Sequence, residues 1–527
     1  MNATQLLAHF DRLAEAPNAV PRLRRFILDL AVRGKLVEQD AGDEPAAVLL
    51  KEVSDEWTRL QKSGVGKKGK KVSDLVAEDG PFALPSLWAF VCLGEVLQMF
   101  NGRAFKPTEW RATGLPIVRI QNLNNPNAGF NYCDPLTIDE RHLIKDGEFL
   151  ISWSGTPGTS FGAFIWQRGE GALNQHIFRC VQVGMAFEPR FLCLAINTQL
   201  DVLISQAQGG VGLQHVTKGT LEKLPLALPP LAEQHRIVAK VDELMALCNQ
   251  LEAAQQERER RCDRLAVASL QRLNQPAADT TPEAQREHAR FHLQHLPRLT
   301  IRPEHIKAIR QTILNLAVRG TLSDSNEWSL YSQPLKVAAT LQNGYAFKSE
   351  WFAKTGIRLL RNINVSHGVI RWDELACLPI EQADEFERFK LLEGDIVLSL
   401  DRPFIGTGTK VARVRTNDLP CFLLQRVGRF QLNPDLLTSD YLFLWIESPQ
   451  FTDQIDPGRS NGVPHISSKQ VECAEIFLPP LVEQHRIVAK VDELMTLCDQ
   501  LEAQLTTIQT DSSRLLKAVL EAVLVPA

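Results

Sequence analysis

Two sets of residues in this sequence carry side chains suited to reading nucleobases. Arg103, Lys106, Arg119, Gln121, Asn122 and Asn124 form the first set. Tyr345, Lys348, Arg361, Asn362 and Asn364 form the second. A guanidinium matches the paired acceptors of guanine, and an Asn or Gln amide matches the donor–acceptor pair of adenine. Solvated loop polarity would use the same residue types. A Gly-rich, hydroxyl-rich stretch follows a β-prone run in each set: residues 153–160 (WSGTPGTS), with Ser154 and Thr156, and residues 401–409 (DRPFIGTGT), with Arg402. Backbone amides and hydroxyls of such turns can hold phosphate oxygens, and an ordinary hairpin loop has the same composition. His215 with Lys218, and His465 with Lys469, recur at matching places. Phosphate contact and a structural hydrogen bond shared by both copies are the two readings there.

Other chemistry is poorly represented. Residues 63–71 (SGVGKKGKK) approach a phosphate-binding loop, but Lys71 stands where Ser or Thr should hold magnesium, and no apolar strand precedes them. A mobile basic loop touching a nucleic-acid backbone is the better reading. His288, His292 and His295 have i, i+4, i+7 spacing in a polar stretch, where a solvated segment outweighs a metal site. The ten cysteines include no CxxC pair. The sequence also lacks an Asn-Pro-Pro-Tyr run, a Gly-rich cofactor fingerprint after a strand, and a nuclease-type acidic and lysine cluster. No catalytic residue and no metal ligand is therefore assigned.

The elements that must position these residues are written twice. Residues 228–253 (LPPLAEQHRIVAKVDELMALCNQLEA) return at 478–503 (LPPLVEQHRIVAKVDELMTLCDQLEA), with differences only at Ala232/Val482, Ala246/Thr496 and Asn249/Asp499. Ile237, Val241, Leu244, Cys248 and Leu251 step by four and three, as do Ile487, Val491, Leu494, Cys498, Leu501, Leu505 and Ile508. That is a coiled-coil seam and requires a partner helix. The first copy is expected to run from about Leu231 to about Leu273, roughly 65 Å at 1.5 Å per residue. A shorter phrase, ILDLAVRGKL at 27–36, returns as ILNLAVRGTL at 313–322. Each is expected to end a helix, with Pro21 or Pro303 near its start and Gly34 or Gly320 stopping it. Residues 274–302 read as a polar linker.

Between these frames lie two blocks that agree only in phrases. NGRAFKPTEW (101–110) answers NGYAFKSEW (343–351), and VRIQNLN (118–124) answers LRNINV (360–365). KDGEFLISWSGTPGTS (145–160) answers EGDIVLSLDRPFIGTG (393–408), and GLQHVTK (212–218) answers GVPHISS (462–468). Short β-prone runs at 117–120, 149–153, 161–166 and 177–183, and again at 359–363, 395–400, 410–414 and 426–430, predict mixed α+β domains. Helices are expected at 191–208 and 440–455. Residues 80–228 hold 11 Lys and Arg against 11 Asp and Glu, and residues 328–478 hold 16 against 18. Any contact with nucleic acid must therefore come from local patches or a basic partner. The N-terminal residues show no signal-peptide pattern, no apolar run approaches the ~20 residues of a membrane span, and the thiol usage suits a cytoplasmic protein.

This order of parts resembles the specificity (DNA-recognition) subunit of type I restriction–modification systems. The resemblance rests on EQHRIVAKVDEL at 233–244 and 483–494, the preceding LPPL turns, LAVRG at 30–34 and 316–320, and the two divergent blocks. It implies an α+β fold in which two mixed α/β target-recognition domains are separated by long antiparallel coiled-coil helices in a pseudo-twofold internal repeat. The expected divisions are a helical region with a basic loop (1–79), a first recognition domain (80–228), spacer helices and linker (229–327), a second recognition domain (328–478) and a final spacer helix (479–527). It further implies double-stranded DNA, two methyltransferase (modification) subunits and translocase–nuclease (restriction) subunits as partners, with no membrane. Ile237, Val241, Leu244, Leu251, Ile487, Val491, Leu494 and Leu501 would form the spacer and docking helices. No cofactor is expected on this chain; S-adenosylmethionine, ATP and Mg2+ would sit on the partners. A self-contained DNA-modifying or DNA-cutting enzyme would instead transfer methyl groups or cut DNA without partners. A coiled-coil adaptor would show no salt-sensitive DNA binding.

Overall fold

The computed structural model describes residues 16–63, 81–153, 161–207, 217–277, 279–295, 302–323, 332–460 and 462–524. The fold is α+β and internally repeated. It divides into two compact units, residues 1–255 with 512–527, and residues 256–511. The main helices are α1 (Ala19–Val32), α2 (Ala46–Lys62), α3 (Pro189–Ala207), α4 (Leu231–Asn274), α5 (Pro282–Gln294), α6 (Pro303–Val318), α7 (Ser439–Glu447) and α8 (Leu481–Leu524).

In the first unit, β2 (Leu97–Asn101), β9 (Ile177–Gln182), β6 (Phe149–Ser152) and β7 (Gly162–Ile165) form an antiparallel sheet in that order. A second sheet orders β4 (Asn131–Cys133), β3 (Leu115–Val118), β8 (Gly171–Leu173) and β5 (Leu143–Ile144), with β3 and β8 parallel. The second unit repeats the plan. Its antiparallel sheet orders β12 (Ala339–Asn343), β20 (Val427–Leu432), β15 (Ile396–Ser399) and β18 (Val411–Arg413). Its other sheet orders β14 (Cys377–Leu378), β13 (Ile357–Leu360) and β19 (Cys421–Leu423), with β13 and β19 parallel. A short antiparallel pair closes each domain at its base: β1 (Ala89–Cys92) with β10 (Pro225–Leu228), and β11 (Ser332–Pro334) with β23 (Glu475–Phe477). The second domain adds two small hairpins, β16 (Phe404–Ile405) with β17 (Gly408–Thr409), and β21 (Gly458–Ser460) with β22 (Val463–His465).

The phrases shared by the two domains mark places where backbones touch. Gly102 and Gly344 follow β2 and β12, and a Cβ on either would overlap backbone atoms of Asn174 or Leu424. Gly114 and Gly356 have φ of +135° and +131°, and a Cβ there would collide with the carbonyl of Cys133 or Leu378. Glycine alone satisfies both demands.

The heptad seam finds its partner inside each unit, and that partner is the short helix. Ile237, Val241 and Cys248 are buried against Ile27 and its neighbours, with Leu244 and Leu251 half-buried at the edge. Arg24 reaches Asn249 and Glu252, both at 2.7 Å, while Gln39 reaches Glu233 at 2.7 Å, so α1 runs antiparallel to α4. In the second unit Ile487, Val491, Leu494, Cys498 and Leu501 pack against Ile306, Ile309 and Ile313 of α6. Arg310 there bonds Asp499 at 2.6 Å and Glu502 at 3.1 Å. Ile508, expected on the seam, is 58% exposed. A straight α-helix drifts about 20° per heptad from a 3.5-residue repeat, and three heptads separate Ile487 from Ile508. The buried stripe resumes at Ser512, Leu516 and Val519, eleven residues after Leu501, a spacing that keeps step with a straight helix. Gly34 and Gly320, at φ +68° and +72°, stop the short helices as expected. The next amides (Lys35, Thr321) return to the carbonyls of Leu30 and Leu316, each at 3.0 Å.

Residues 274–302 are not simply a linker. Thr281 caps α5, Pro282 occupies its first turn, and Ala289 is buried beside Leu273 and Leu316. His288 and His292 lie on α5, and His295 ends it with its ring stacked on Phe291 at 4.4 Å. Among the described residues no group of three or more His, Cys, Asp or Glu is placed to hold a metal ion, and no helix is long and apolar enough to cross a membrane. The basic run 64–71 lies outside the described residues.

Candidate nucleic-acid interface

Each domain is seated on its long helix by the second residue of the repeated EQH phrase. Gln234 is fully buried; it accepts from Glu188 N–H (2.7 Å) and donates to the carbonyls of Ala186 (2.9 Å) and Pro229 (3.0 Å). Gln484 does the same with Thr438 N–H (2.8 Å), Leu436 (2.7 Å) and Pro479 (2.9 Å). Glu233 takes Trp88 Nε1–H at 2.8 Å, and Glu483 takes the Ser323 hydroxyl at 2.7 Å. Burial pushes the Glu233 carboxyl above its ordinary value, against the lowering effect of the Trp88 and Gln39 bonds. The heptad pattern drew attention to the apolar seam and away from these polar seats. Their signal was the exact recurrence of polar residues where only an amphipathic stripe was required.

The second domain gathers four loops at one end of its sheets. Tyr345 N–H bonds the Leu423 carbonyl (3.0 Å), and Gln425 N–H returns to the Tyr345 carbonyl (2.8 Å). Leu400 N–H bonds the Arg426 carbonyl, and Arg402 N–H bonds the Pro464 carbonyl, each at 2.8 Å. Tyr345, Arg402 and His465 are thereby drawn together. Arg402 is exposed, whereas the Tyr345 ring packs among Phe347, Trp351, Phe386 and Phe389, with its nearest ring centroid at 4.8 Å. Tyr345 is thus chiefly an aromatic support for the turn. Lys348 is exposed beside Glu350 (3.7 Å), with its ammonium over the Trp351 ring. Lys469 is exposed on the helical turn Ser468–Cys473.

In the first domain the turn after β2 is anchored as its counterpart is. Arg103 N–H bonds the Leu173 carbonyl at 2.8 Å, and its guanidinium pairs with Glu109 and lies over Phe105. This pairing and the Lys106 amide hold the Glu109 carboxyl below the usual carboxylate range, the backbone bond contributing most. Lys106 itself is exposed. Lys218 donates to the Met99 carbonyl at 2.7 Å, tying its helical turn Lys218–Glu222 to β2. Ser154, Thr156 and His215 lie outside the described residues.

The VRIQNLN and LRNINV phrases differ from expectation. Asn122 and Asn364 were candidates for adenine, yet both are 2% exposed. Asn122 accepts from Arg119 N–H (3.0 Å) and donates to the carbonyls of Ala128 and Gly129. Asn364 accepts from Arg361 N–H (3.2 Å) and donates to those of Arg371 and Glu374. With its NH2 donors spent on backbone carbonyls and the side chain buried, such an amide cannot pair with a base edge, so these two residues build the frame. What they leave outward is Gln121 and Asn124, both exposed on the turn Ile120–Asn124; Asn362 in the second domain is half-buried, and its carbonyl accepts from Lys410. Arg119 lies over Trp110, 5.7 Å from its centroid, and Arg361 bonds the Glu374 carbonyl at 2.8 Å.

A profile of the type I restriction modification DNA specificity domain matches residues 85–259 and 378–509, more than half of the chain. The chain is 32% identical to the type I restriction enzyme EcoAI specificity subunit of Escherichia coli, with 95% of this chain and 93% of that protein covered. It is 24% identical to the EcoEI specificity subunit of the same species, covering 96% and 94% respectively. Among solved structures, the HsdS subunit from Thermoanaerobacter tengcongensis aligns at a TM-score of 0.47 and 19% identity, over 84% of this chain and 98% of that one.

Proposed function

Because the chain belongs to the type I restriction–modification DNA specificity family, we propose that it reads an asymmetric, two-part DNA site, one part per variable domain, as the recognition subunit of a larger complex. Residues 80–228 and 328–478 are the two readers. The helices carrying Ile237, Val241, Leu244 and Leu251, and Ile487, Val491, Leu494 and Leu501, support them. Their outer faces dock two methyltransferase subunits, to which translocase–nuclease subunits are added. Methyl transfer and cleavage belong to the partners, which carry S-adenosylmethionine, ATP and Mg2+; this chain contributes recognition without catalysis.

The observation that carries the reading is the pairing of a common frame with different tips. Strand order, the two close-approach glycines, the frame asparagines and the glutamine seats recur in both domains. The side chains on the connecting turns differ. Phosphate contacts fix a protein on a duplex while base contacts distinguish sequences, so two readers of unlike words need one frame with exchangeable tips.

Exchange of residues 328–478 for the corresponding domain of a relative tests this. With the methyltransferase partners present, methylome sequencing is expected to show one half of the modified site replaced and the other half kept. A motif that changes in both halves, or in neither, would overturn the assignment of one word per domain.

A further inference from the structure

The two domains can be compared position by position, and the sharpest difference falls on one two-residue turn. Asn174–Gln175–His176–Ile177 joins β8 to β9, and Leu424–Gln425–Arg426–Val427 joins β19 to β20 in the same place. Gln is common to both turns; the next residue is His176 in one and Arg426 in the other. The residues facing that position have changed with it. Trp153 N–H bonds the His176 carbonyl at 3.3 Å, and the two rings lie 5.3 Å apart. In the second domain Leu400 takes the place of Trp153, and the next residue, Asp401, carries the partner group. Asp401 Oδ1 lies 2.7 Å from His465 Nδ1 and 3.7 Å from the Arg426 guanidinium. A carboxylate only accepts, so His465 donates to Asp401 through Nδ1, and Arg426 Nη1 lies 3.4 Å from the same ring nitrogen.

Backbone geometry singles out the same residues. Among the described residues only three other than glycine have positive φ: Asn18, Arg402 at +47° and Arg426 at +80°. Both arginines are therefore at this cluster. A side chain held in the left-handed region is disfavoured, and such residues persist where the surroundings impose them, commonly at functional sites. Arg426 keeps 42% of its side chain exposed while Asp401 keeps 20% and His465 25%. The carboxylate and imidazole thus form a support from which the guanidinium projects.

We infer that Arg426, positioned by Asp401 and His465, is a base-reading residue of the second domain and recognises a guanine, and that His176 beside Trp153 occupies the matching reading position of the first. This rests on the two-reader assignment above. Arginine presents two parallel N–H groups in a rigid planar fork that match guanine O6 and N7, whereas lysine must reach them with a single ammonium on a flexible stem. Asp401 holds the guanidinium by charge at 3.7 Å and His465 Nδ1 lies 3.4 Å from its Nη1, so replacement of Asp401 affects discrimination through Arg426.

The test uses the full methyltransferase complex with Arg426→Gln and Arg426→Lys variants. Methylation rates are measured on duplexes carrying each substitution across both half-sites, together with the salt dependence of binding. The expected result is a loss of discrimination at one G·C pair, in one half-site only, of roughly 5- to 150-fold for both variants, with Arg426→Lys leaving the salt slope unchanged. Asp401→Asn is expected to lower discrimination at that same pair by a smaller factor. Full retention of discrimination by Arg426→Lys would overturn the reading of guanine by an arginine fork, and uniform weakening on all sequences with a salt slope about one unit smaller in Arg426→Gln would identify a phosphate contact and overturn the inference as well. Arg426→Lys preserves charge and bulk, so it decides the matter should Arg426→Gln fold poorly. If the domain exchange succeeds while both Arg426 variants read the wild-type motif unchanged, this inference alone falls.

Discussion

Gln484→Ala should unseat the second domain from its helix, with a loss of about 3–6 kcal/mol of stability. The side chain is fully buried and supplies one acceptor and two donors to three backbone groups: Thr438 N–H and the carbonyls of Leu436 and Pro479. Alanine leaves all three without partners in a fully buried site. A buried polar group left unmade costs about 1–3 kcal/mol, and the vacated volume adds a cavity term. Gln484→Glu retains the shape but offers a second acceptor to two carbonyls, and is expected to be no better. Urea unfolding followed through the buried Trp445 provides the measurement. A loss under 1 kcal/mol would show that the seat is dispensable. Gln234→Ala should behave alike in the first unit, where Glu188, Ala186 and Pro229 are the stranded partners.

Gly344→Ala is expected to cost about 2–4 kcal/mol, at or above the usual range for an overpacked position, and to abolish reading of one half-site. Its new methyl would overlap backbone atoms of Leu423 and Leu424, which cannot swing aside as a flexible side chain can. Relief requires β12 to part from the β19–β20 turn, the turn that presents Gln425 and Arg426. Gly102→Ala should do the same in the first domain against Leu173 and Asn174. Gly129→Ala and Gly458→Ala are the matched controls. Neither glycine has a restrictive φ and neither Cβ would meet an atom within 4 Å, so each is expected to stay within about 0.5 kcal/mol of wild type. Methylation of the complex, scored separately for the two half-sites, reads the functional side. Equal damage from the control and close-approach variants would refute the packing argument.

Much of this architecture was legible in the residues. The seam spacing placed α4 within a residue of its observed end, and Gly34 and Gly320 stopped their helices where the sequence indicated. Periodicity names an apolar face, however, and leaves open what covers it. The stripe of α4 is closed by α1 of the same unit, through contacts more than two hundred residues apart in sequence. α5 was missed because its composition is polar, although Thr281, Pro282 and Glu283 spell a helix start. Asn122 and Asn364 misled because an amide suited to adenine is equally suited to its own backbone. The recurrence of Arg-x-x-Asn in both domains was the available clue, since a short side chain three residues on can return to the amide that starts a helical turn. Arg426 escaped notice because its run resembles a strand, and the turn that exposes it is set by partners at Leu400 and Tyr345.

The first unit is built from both ends of the sequence: Ala16 and Ala19 are covered by Leu516 and Val519, and Arg22 donates to the Ser513 carbonyl at 3.3 Å. A ribosome adding about 5–20 residues per second reaches residue 512 roughly 13–50 s after residue 255. Throughout that interval Ala16 and Ala19 of the nascent first half lack their cover, whereas the intervening unit is one continuous stretch of sequence. Synthesis order therefore makes the later half the earlier one to finish, and leaves the start of α1 uncovered until the last helix emerges.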